Sequence, residues 1–375
     1  MDRTADPIER ATALAPLAAR LAPETEAQRR LAPELADALR ASGLLRLGVP
    51  ATVGGDEATP ATILEAAETL ARADASAGWI VSIACTASVL AGWMAPDAAR
   101  EALGSPDTVA VGVFSPRARG VQTDDGGLRV TGRWPFSSGI GQADWFFAGC
   151  LIEADGHPAH RAVCLPTSEI EVIDTWHVSG LRGTGSHDTA AHDVLVPPER
   201  VIDLIGGRPV DPAPLYRFPL FALLASSIAA VCLGIARAAI DDLVQLASVK
   251  TPEASNRKLA ERPITQQRVA EGEAALLAAR AFFYEAVATA WASGGDDLPS
   301  RAALRLAATH AARTAADVTR SMYDLGGGTA IYESSPLQRR FRDAHTATAH
   351  FQVAPQTYEV IGRVMLGLPA DTSRL

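Results

Sequence analysis

The stretch that decides the fold runs from Asp107 to Val201 and contains six short runs rich in β-branched and aromatic residues. They are TVAVGVF (108–114), GLRVTGRW (127–134), WFFAGCLIE (145–153), RAVCLP (161–166), IEVI (170–173) and AHDVLVP (191–197). The segments DDGG, ADGHP and PPER interrupt the series and are typical of turns. We therefore predict a compact antiparallel barrel or sandwich in this part of the chain.

Helical patterns lie on both sides of these strands. Apolar residues from Ile63 to Ala71 recur at helical spacing, after a plausible N-cap and first-turn proline at Thr59-Pro60. After a Gly/Pro-rich joint at 206–214 the helical pattern returns and persists, with a loop at 293–300. Because strands and helices do not alternate, a doubly wound nucleotide-binding fold is disfavoured. We predict a mostly α, α+β protein with a helical domain at 1–106, a β domain at 107–205 and a helical bundle at 206–375.

Composition limits the possible functions. With 48% hydrophobic residues the 375-residue chain can bury a large core, and its net charge of −9 argues against a nucleic-acid binder. The four cysteines form no CxxC motif, which favours a reducing cytoplasm, and the N-terminus shows no secretion signal. The apolar run 218–235 contains two serines and a glycine and is followed by Arg237, so we expect a buried bundle helix and not a membrane span.

Glycine-rich segments and histidines give weak local signals. GLRGTG (180–185) lacks the spacing of a phosphate-binding loop, and GGG (326–328) is first a helix terminator, so we interpret both as structural turns. His345 and His350 would lie about 140° apart on one helix, and no metal site is expected. One of them could still line a buried pocket as an acid, a base or a hydrogen-bond donor, and a histidine packed in the core is equally compatible.

The segment GRWPFSSG (132–139) is more informative. On a regular strand Trp134 and Phe136 point to the same side, beside the hydroxyls of Ser137 and Ser138. A planar heteroaromatic ligand needs such a surface for stacking and hydrogen bonds at its edge. A strand end packed under helices would explain the same residues. No GxSxG motif is present, so nothing supports a hydrolase.

Several segments, taken in order, resemble the acyl-CoA dehydrogenase superfamily. They are GVPATVGG (48–55), VGVFSP (111–116), GRWPFSSG (132–139), WHVSGLRGTGSHD (176–188), VLVPPER (194–200) and YDLGGGTAIYESSPLQRRFRDA (323–344). The resemblance covers roughly residues 45 to 370. It implies an N-terminal helical domain, a central β-barrel, a C-terminal four-helix bundle and a flavin-binding homotetramer.

The chain departs from the dehydrogenases where their chemistry takes place. The catalytic Glu of most members falls about nine residues after the Arg of RDA, and that position here is Phe351, next to His350. The alternative position early in the bundle, within 218–230, contains no acid, and Glu359 is out of register. Without a carboxylate, no obvious group can remove an α-proton from a thioester. Tyr323 replaces a Gln that helps to hold the adenosine end of FAD in many members.

The remaining pattern is similar to the flavin-dependent monooxygenase branch, which includes the p-hydroxyphenylacetate, dibenzothiophene and steroid-ring oxygenases. Those enzymes take FMNH₂ or FADH₂ from a separate reductase and use O₂ to form a C4a-hydroperoxyflavin; we expect FMNH₂ here. The resemblance implies that His350 and Ser138 are catalytic, with Ser138 near flavin N5 and His350 near C4a. It further implies flavin contacts from these residues: Phe114, Ser115, Trp134, Phe136, Ser137, Ser138 and Arg257.

The resemblance also indicates where the substrate would bind. Its binding residues are expected on the helix around Trp79, Ser82 and Cys85, at Phe221 near the start of the bundle, and at His350. They are mainly small or apolar, which suits a small aromatic or polycyclic substrate and also a hydrophobic carrier-bound chain. Two alternatives stay open: an acyl-CoA dehydrogenase-like FAD enzyme with a displaced base, and an inactive homologue that serves as a scaffold or ligand-binding protein.

Overall fold

The computed structural model describes residues 3–154, 156–253 and 255–375, and its first part is helical. The helices are α1 Pro7–Gln28, α2 Pro33–Ser42, α3 Pro60–Ala73, α4 Ala75–Ser88 and α5 Pro96–Leu103. Thr59 caps α3 by accepting a hydrogen bond from the Thr62 N–H, and Pro60 occupies the first turn, as predicted. Asp74 caps α4 in the same way, through the Ala77 N–H. This short link sets the angle between α3 and α4.

A seven-stranded sheet follows. Its strands are β1 Ala110–Gln122, β2 Leu128–Ser137, β3 Trp145–Ala154, β4 His157–Pro166, β5 Glu171–Ile173, β6 His187–Val196 and β7 Val201–Asp203. Their order is β5-β6-β2-β1-β3-β4-β7. The prediction of strands is confirmed, but the expectation of a purely antiparallel arrangement is wrong, because β1 and β3 pair in parallel. The crossover through β2 brings two long strands side by side at the centre of the sheet.

Two ladders of this sheet are interrupted at neighbouring places. The β1–β3 register shifts between Val113 and Ala118, and the β2–β6 register shifts between Trp134 and Ser137. At the first interruption, Gly149 of β3 leaves room for the carbonyl groups of Phe114 and Ser115, which a Cβ atom would meet. Such irregularities change the direction of side chains locally. They lie where the strands face the helices.

The C-terminal part is helical again. It contains α6 Pro214–Arg217, α7 Leu220–Val249, α8 Pro263–Ser293, α9 Leu298–Gly326, α10 Pro336–Thr348 and α11 Gln356–Met365. The four long helices α7 to α10 form the predicted bundle, with the Ala-rich α7 at its centre. Two stretches, 75–93 and 220–249, are long and apolar enough to cross a membrane, but 94% and 89% of their most apolar windows are buried inside the protein. They serve as core helices here, as expected for 218–235.

Hydrogen bonds of Asp343 and Arg340 on α10 connect the three parts of the chain. The Leu181 N–H, in the loop between β5 and β6, donates to Asp343 Oδ1 of α10 at 2.6 Å. Arg340, one turn earlier, donates to the Ala73 carbonyl at 3.2 Å and to Asp242 of α7 at 3.2 Å. The fold class predicted from the sequence is confirmed. The exact domain boundaries at 106 and 205 stay a prediction.

Candidate active site

A cavity of about 790 Å³ opens where α4, the interrupted strands β1 and β2, the loop 176–186 and the bundle meet. Seven of the predicted site residues lie on its wall: Trp79, Phe114, Ser115, Phe136, Ser138, Phe221 and His350. They come from all three parts of the chain. The fold therefore brings together side chains that lie up to 271 residues apart in sequence, between Trp79 and His350.

A row of hydroxyl groups forms the polar side of the cavity. Ser138 Oγ lies 2.7 Å from Ser186 Oγ, which lies 2.6 Å from Thr184 Oγ1. Trp79 Nε1 donates to Ser138 Oγ at 3.0 Å. We call Ser138, Ser186 and Thr184 the hydroxyl row; their exposed fractions are 6%, 3% and 1%. Buried hydroxyls with several partners are held in fixed directions, so this wall is preorganised.

His350 lies close to the hydroxyl row. Its ring packs edge-on against Trp79, with the centroids 6.1 Å apart. The Gln352 N–H donates to His350 Nδ1 at 3.2 Å, so the neutral ring carries its proton on Nε2. Burial, with a smaller effect from the positive charge of Arg305, lowers the pKa of His350 to about 4. At neutral pH the imidazole is therefore an uncharged N–H donor.

Aromatic surface covers the cavity on the side of β2. Phe136 has a positive φ of 65°, rare for a bulky residue, and its ring is 67% exposed. The ring meets Trp176 edge-on, with the centroids 6.1 Å apart. A backbone held in an uncommon conformation often marks a functional position. Here it turns a large ring towards the cavity.

The bundle supplies the apolar side. Phe221, Leu224 and Ile228 of α7 line the cavity, and their spacing places them on one face of the helix. Ile83 and Thr86 of α4 also line the cavity. The apolar residues of α7 are therefore suited to contact an apolar ring, while the hydroxyl row offers hydrogen bonds.

The prediction that Trp134 and Phe136 share a side is wrong. Trp134 is fully buried, donates through Nε1 to the Gly149 carbonyl at 2.7 Å and packs against Phe146. The positive φ of Phe136 breaks the regular alternation between the two residues. Ser137 is also turned away from the cavity wall, and its hydroxyl lies 2.9 Å from Thr189 Oγ1. The structure therefore assigns Trp134 and Ser137 to packing within the sheet.

Two predicted substrate residues of α4 also lie behind the wall. Ser82 is fully buried, and its hydroxyl donates to the Trp79 carbonyl at 2.9 Å. Cys85 is fully buried, and its thiol donates to the Leu44 carbonyl at 3.1 Å. Burial raises the pKa of Cys85 to about 12, so it stays a thiol. The register of α4 turns Trp79 and Ile83 to the cavity instead.

Arg257 lies away from the cavity wall, whereas the two histidines of the RDA region lie on it. Arg257 is exposed in the connection between α7 and α8 and does not lie on the cavity wall. His345 and His350 both line the cavity, contrary to the helical-wheel expectation. The reason is that α10 ends at Thr348, so the two residues do not belong to one helix.

Among the wall residues that sequence reasoning missed are Trp176, Thr184 and Ser186. All three belong to the segment WHVSGLRGTGSHD, in which GLRGTG was interpreted as a structural turn. That interpretation is correct for the backbone, since Leu181 and Gly185 adopt positive φ. The signal that could have found the site is the pair of hydroxyl residues two positions apart at the end of this turn.

The cavity fits the isoalloxazine ring of a flavin. Gln352 is only 2% exposed and lines the cavity, and its Oε1 has no hydrogen-bond partner. Both ring nitrogens of His160, another wall residue, also lack a partner. These free groups, the hydroxyl row and the exposed Phe136 ring provide what the polar edge and the flat face of a flavin require. Within the described parts of the chain, no group of three or more His, Cys, Asp or Glu side chains could hold a metal ion.

Comparisons with known proteins agree with this architecture. The family models for the N-terminal and C-terminal domains of acyl-CoA dehydrogenase match residues 10–102 and 226–355. Indole-3-acetate monooxygenase from Pseudomonas putida is 40% identical over 92% of this chain and 89% of its own. The oxygenase subunit HsaA, a flavin-dependent monooxygenase from Rhodococcus jostii, is 30% identical over 96% of this chain and 98% of its own.

A solved structure extends the agreement to the cofactor. XiaF from a Streptomyces species, in complex with FADH₂ and glycerol, superposes with a TM-score of 0.90 at 27% identity, over 99% of this chain and 97% of its own. The matches run through the helical domain, the sheet and the bundle, and so include every wall of the cavity. The chain belongs to the acyl-CoA dehydrogenase superfamily, in its branch of flavin-dependent monooxygenases.

Proposed function

We propose that the protein is the oxygenase component of a two-component system that transfers one oxygen atom from O₂ to a small aromatic substrate. The observation that carries this proposal is the chemistry of the cavity wall. It offers neutral hydroxyls, a neutral imidazole and aromatic rings, and among its described residues it has no carboxylate side chain. Such a wall can orient a flavin and exclude water, but it lacks the carboxylate that would remove an α-proton from a thioester.

Reduced flavin, when bound, supplies the electrons that activate O₂. By the resemblance, flavin N5 would lie near Ser138 and the reacting edge of the ring near His350. Ser138 would orient the ring through a hydrogen bond. His350 would donate its Nε2 proton in a hydrogen bond to oxygen, since Nδ1 is occupied by the Gln352 N–H. The apolar residues of α7 would keep water away and hold the substrate ring.

An aromatic acid is the substrate class to test first. Arg117 and Arg374 both line the cavity, and no acidic side chain among the described wall residues offsets their charge. Their positive charge favours an anion, either the flavin phosphate or a substrate carboxylate. Because the relative from Pseudomonas putida is named for indole-3-acetate, we choose this acid as the first candidate.

The proposal also covers the reductase, the cellular location, the oligomeric state and the choice of flavin. A separate reductase would supply the flavin, and the protein would act in the cytoplasm as a homotetramer. The preference for FMNH₂ over FADH₂ stays a prediction. Arg257 can contact a flavin phosphate only if the assembly brings it to the cavity of another copy, because it is not on the cavity wall of its own chain.

The experiment loads the protein anaerobically with FADH₂ or FMNH₂ and mixes it with ¹⁸O₂ and indole-3-acetate. We expect one ¹⁸O atom in the product and little H₂O₂. If indole-3-acetate and a panel of other aromatic acids give only H₂O₂, while an acyl-CoA is desaturated, the dehydrogenase alternative is correct. If neither reduced flavin binds, the protein is a binding protein or scaffold. The open cavity of about 790 Å³ argues against that last outcome.

A variant of His350 tests the proposed donor. In His350→Ala we expect flavin to bind with nearly unchanged affinity, while the product formed per O₂ consumed falls by about 100-fold, a typical loss for one positioned proton donor. In the wild-type protein that ratio should stay level from pH 8 to pH 6 and change only as the pH approaches 4, where the ring of His350 takes up a proton. An unchanged ratio in the variant would remove His350 from the mechanism.

A further inference from the structure

We propose that Thr184 and Ser186 fix the direction of the Ser138 hydroxyl and thereby make the cavity selective for reduced over oxidised flavin. Both would be positioning residues, because they act on the flavin through Ser138. The inference rests on the proposed function only in placing flavin N5 beside Ser138. The direction itself follows from a count of protons along the hydroxyl row.

The first end of the row is fixed by Trp79. An indole N–H can only donate, and it lies 3.0 Å from Ser138 Oγ, so Ser138 accepts this hydrogen bond. This contact uses one of the two acceptor positions of the serine oxygen. It leaves the hydroxyl proton and one further acceptor position for other partners.

The other end is fixed by the Leu181 carbonyl. A carbonyl oxygen can only accept, and Thr184 Oγ1 lies 2.8 Å from it, so Thr184 gives its single hydroxyl proton to this carbonyl. The same oxygen also accepts from Trp176 Nε1 at 3.1 Å. The positive φ of Leu181 and its N–H bond to Asp343 hold this peptide in place.

The direction of the middle of the row then follows. Because the proton of Thr184 is already used, the 2.6 Å contact between Thr184 and Ser186 requires that Ser186 donates. Ser186 has no second proton, so the 2.7 Å contact with Ser138 requires that Ser138 donates to Ser186. All three residues are at least 94% buried, so bulk water has little access to the contacts between their hydroxyls.

The consequence is that Ser138 presents an acceptor to the cavity. In reduced flavin N5 carries a hydrogen and can donate to this oxygen. In oxidised flavin N5 is itself an acceptor, so two lone pairs would face each other. The arrangement therefore favours binding of the reduced cofactor, which is the form that an oxygenase component must take from its reductase. It weakens the binding of the oxidised cofactor that remains after the reaction.

The test measures the dissociation constants of oxidised and anaerobically reduced flavin, with FAD and FMN in parallel, for the full chain. We expect the wild-type protein to bind the reduced form more tightly. In Ser186→Ala the Ser138 proton loses its acceptor and can turn to the cavity. In Thr184→Val the Ser186 proton can turn to Ser138 and displace the Ser138 proton. Either change should lower the reduced-to-oxidised affinity ratio by about tenfold, the worth of one neutral hydrogen bond.

The midpoint potential of the bound flavin gives an independent readout. A tenfold fall in the affinity ratio lowers the potential of this two-electron couple by about 30 mV. Thr184→Ser keeps the hydroxyl and should keep both the ratio and the potential, which makes it the matched control for Thr184→Val. A purely structural role would weaken both flavin forms by the same factor and leave the potential unchanged.

The outcomes separate the two proposals. Equal affinities of the wild-type protein for both flavin forms would overturn this inference even if every variant failed to fold. An unchanged ratio in Ser186→Ala and Thr184→Val would overturn it as well. If the wild-type protein binds neither form, the proposed function fails instead.

Discussion

The hydroxyl row and a second buried polar group meet at the same residue, Leu181, and differ in chemistry. The second group, which we call the carboxylate joint, consists of Asp74 at the start of α4 and Asp343 of α10. Asp343 accepts the Leu181 N–H, while Thr184 of the hydroxyl row donates to the Leu181 carbonyl. The row consists of groups that do not titrate near neutral pH. The joint consists of carboxyl groups, which burial makes sensitive to pH.

The pKa values show this difference. Burial, opposed by the Leu181 N–H and reinforced by the negative charge of Asp74, raises the pKa of Asp343 to about 7. Burial also raises the pKa of Asp74. The hydroxyls face the cavity, whereas Asp343 connects the loop before β6 to α10 and Asp74 caps α4. A change of pH should therefore affect the stability of the protein before it affects the direction of the hydrogen bonds at the cavity.

The largest effect is expected from breaking the joint sterically. A Cβ atom at Gly180 would overlap the carbonyl group of Arg342, so Gly180→Ala must shift backbone on one side of the joint. We expect the free energy of unfolding to fall by about 3 kcal/mol, the upper end of the usual range for overpacked sites, because the overlap is with backbone. Urea titration measures this change. The control is Gly141→Ala, where a Cβ meets nothing within 4 Å; equal midpoints for the two variants would contradict the prediction.

A smaller effect is expected from removing the charge of the joint. The folded protein binds the Asp343 proton more tightly than the unfolded chain does. This group therefore contributes stability below about pH 4, and the contribution is lost as the pH rises through 7. Asp343→Asn keeps the acceptor for the Leu181 N–H and abolishes this loss. Between pH 5 and pH 8 its unfolding free energy should decline by roughly 2 to 3 kcal/mol less than that of the wild-type protein.

Urea unfolding at four pH values from 5 to 8 provides the measurement. Other titrating groups are common to both chains, so the difference between the two curves reports Asp343 together with its interaction with Asp74. Parallel curves would show that the carboxyl of Asp343 is ionised throughout this range. Flavin affinity at the same pH values should change little, because the hydroxyl row contains no titrating group.

A still smaller effect is expected at the other end of the row. Trp79→Phe keeps a ring in the cavity wall and removes the N–H that donates to Ser138. The direction of the Ser138 proton is unchanged, so the ratio of the two affinities should stay the same. Because Ser138 is held less firmly without this bond, oxidised and reduced flavin should both lose about threefold to tenfold in affinity. Anaerobic flavin titration tests this expectation. A loss confined to one redox form would mean that Trp79 also sets the direction of the row.

The smallest effect is expected behind the wall. Cys85→Ser replaces a thiol donor to the Leu44 carbonyl with a hydroxyl donor, and the site does not touch the cavity. We expect a change in unfolding free energy within about 1 kcal/mol and an unchanged flavin affinity. In the wild-type protein Cys85 should resist alkylation at pH 8, because burial raises the pKa of its thiol to about 12. Rapid alkylation of the folded protein would contradict the assigned burial.

The order of helices, strands and bundle could be predicted from the sequence, because hydrophobic periodicity is a local property. Thr59 and Pro60 illustrate this, since capping residues act within one helical turn. The parallel pairing of β1 and β3 could not be predicted in the same way. It depends on which strands become neighbours, and this is decided by packing across the whole sheet.

The site was only partly predictable for a related reason. Ser138, His350 and Phe136 were found because they belong to motifs that resemble a family. Trp134 was misplaced because strand alternation was assumed to continue through Phe136, where the backbone adopts a positive φ. Thr184 and Ser186 were missed because their importance lies in contacts with Ser138, nearly 50 residues earlier in the chain. Local sequence patterns do not encode such contacts.

The ring of Phe136 has a calorimetric consequence. The residue is 67% exposed, held there by an uncommon backbone conformation, and it lines the same cavity as the apolar residues of α7. A flavin that covers this ring removes apolar surface from water, so its binding should show a negative change in heat capacity. The enthalpy of flavin binding should accordingly become more favourable as the temperature rises, and Phe136→Ser should reduce that dependence.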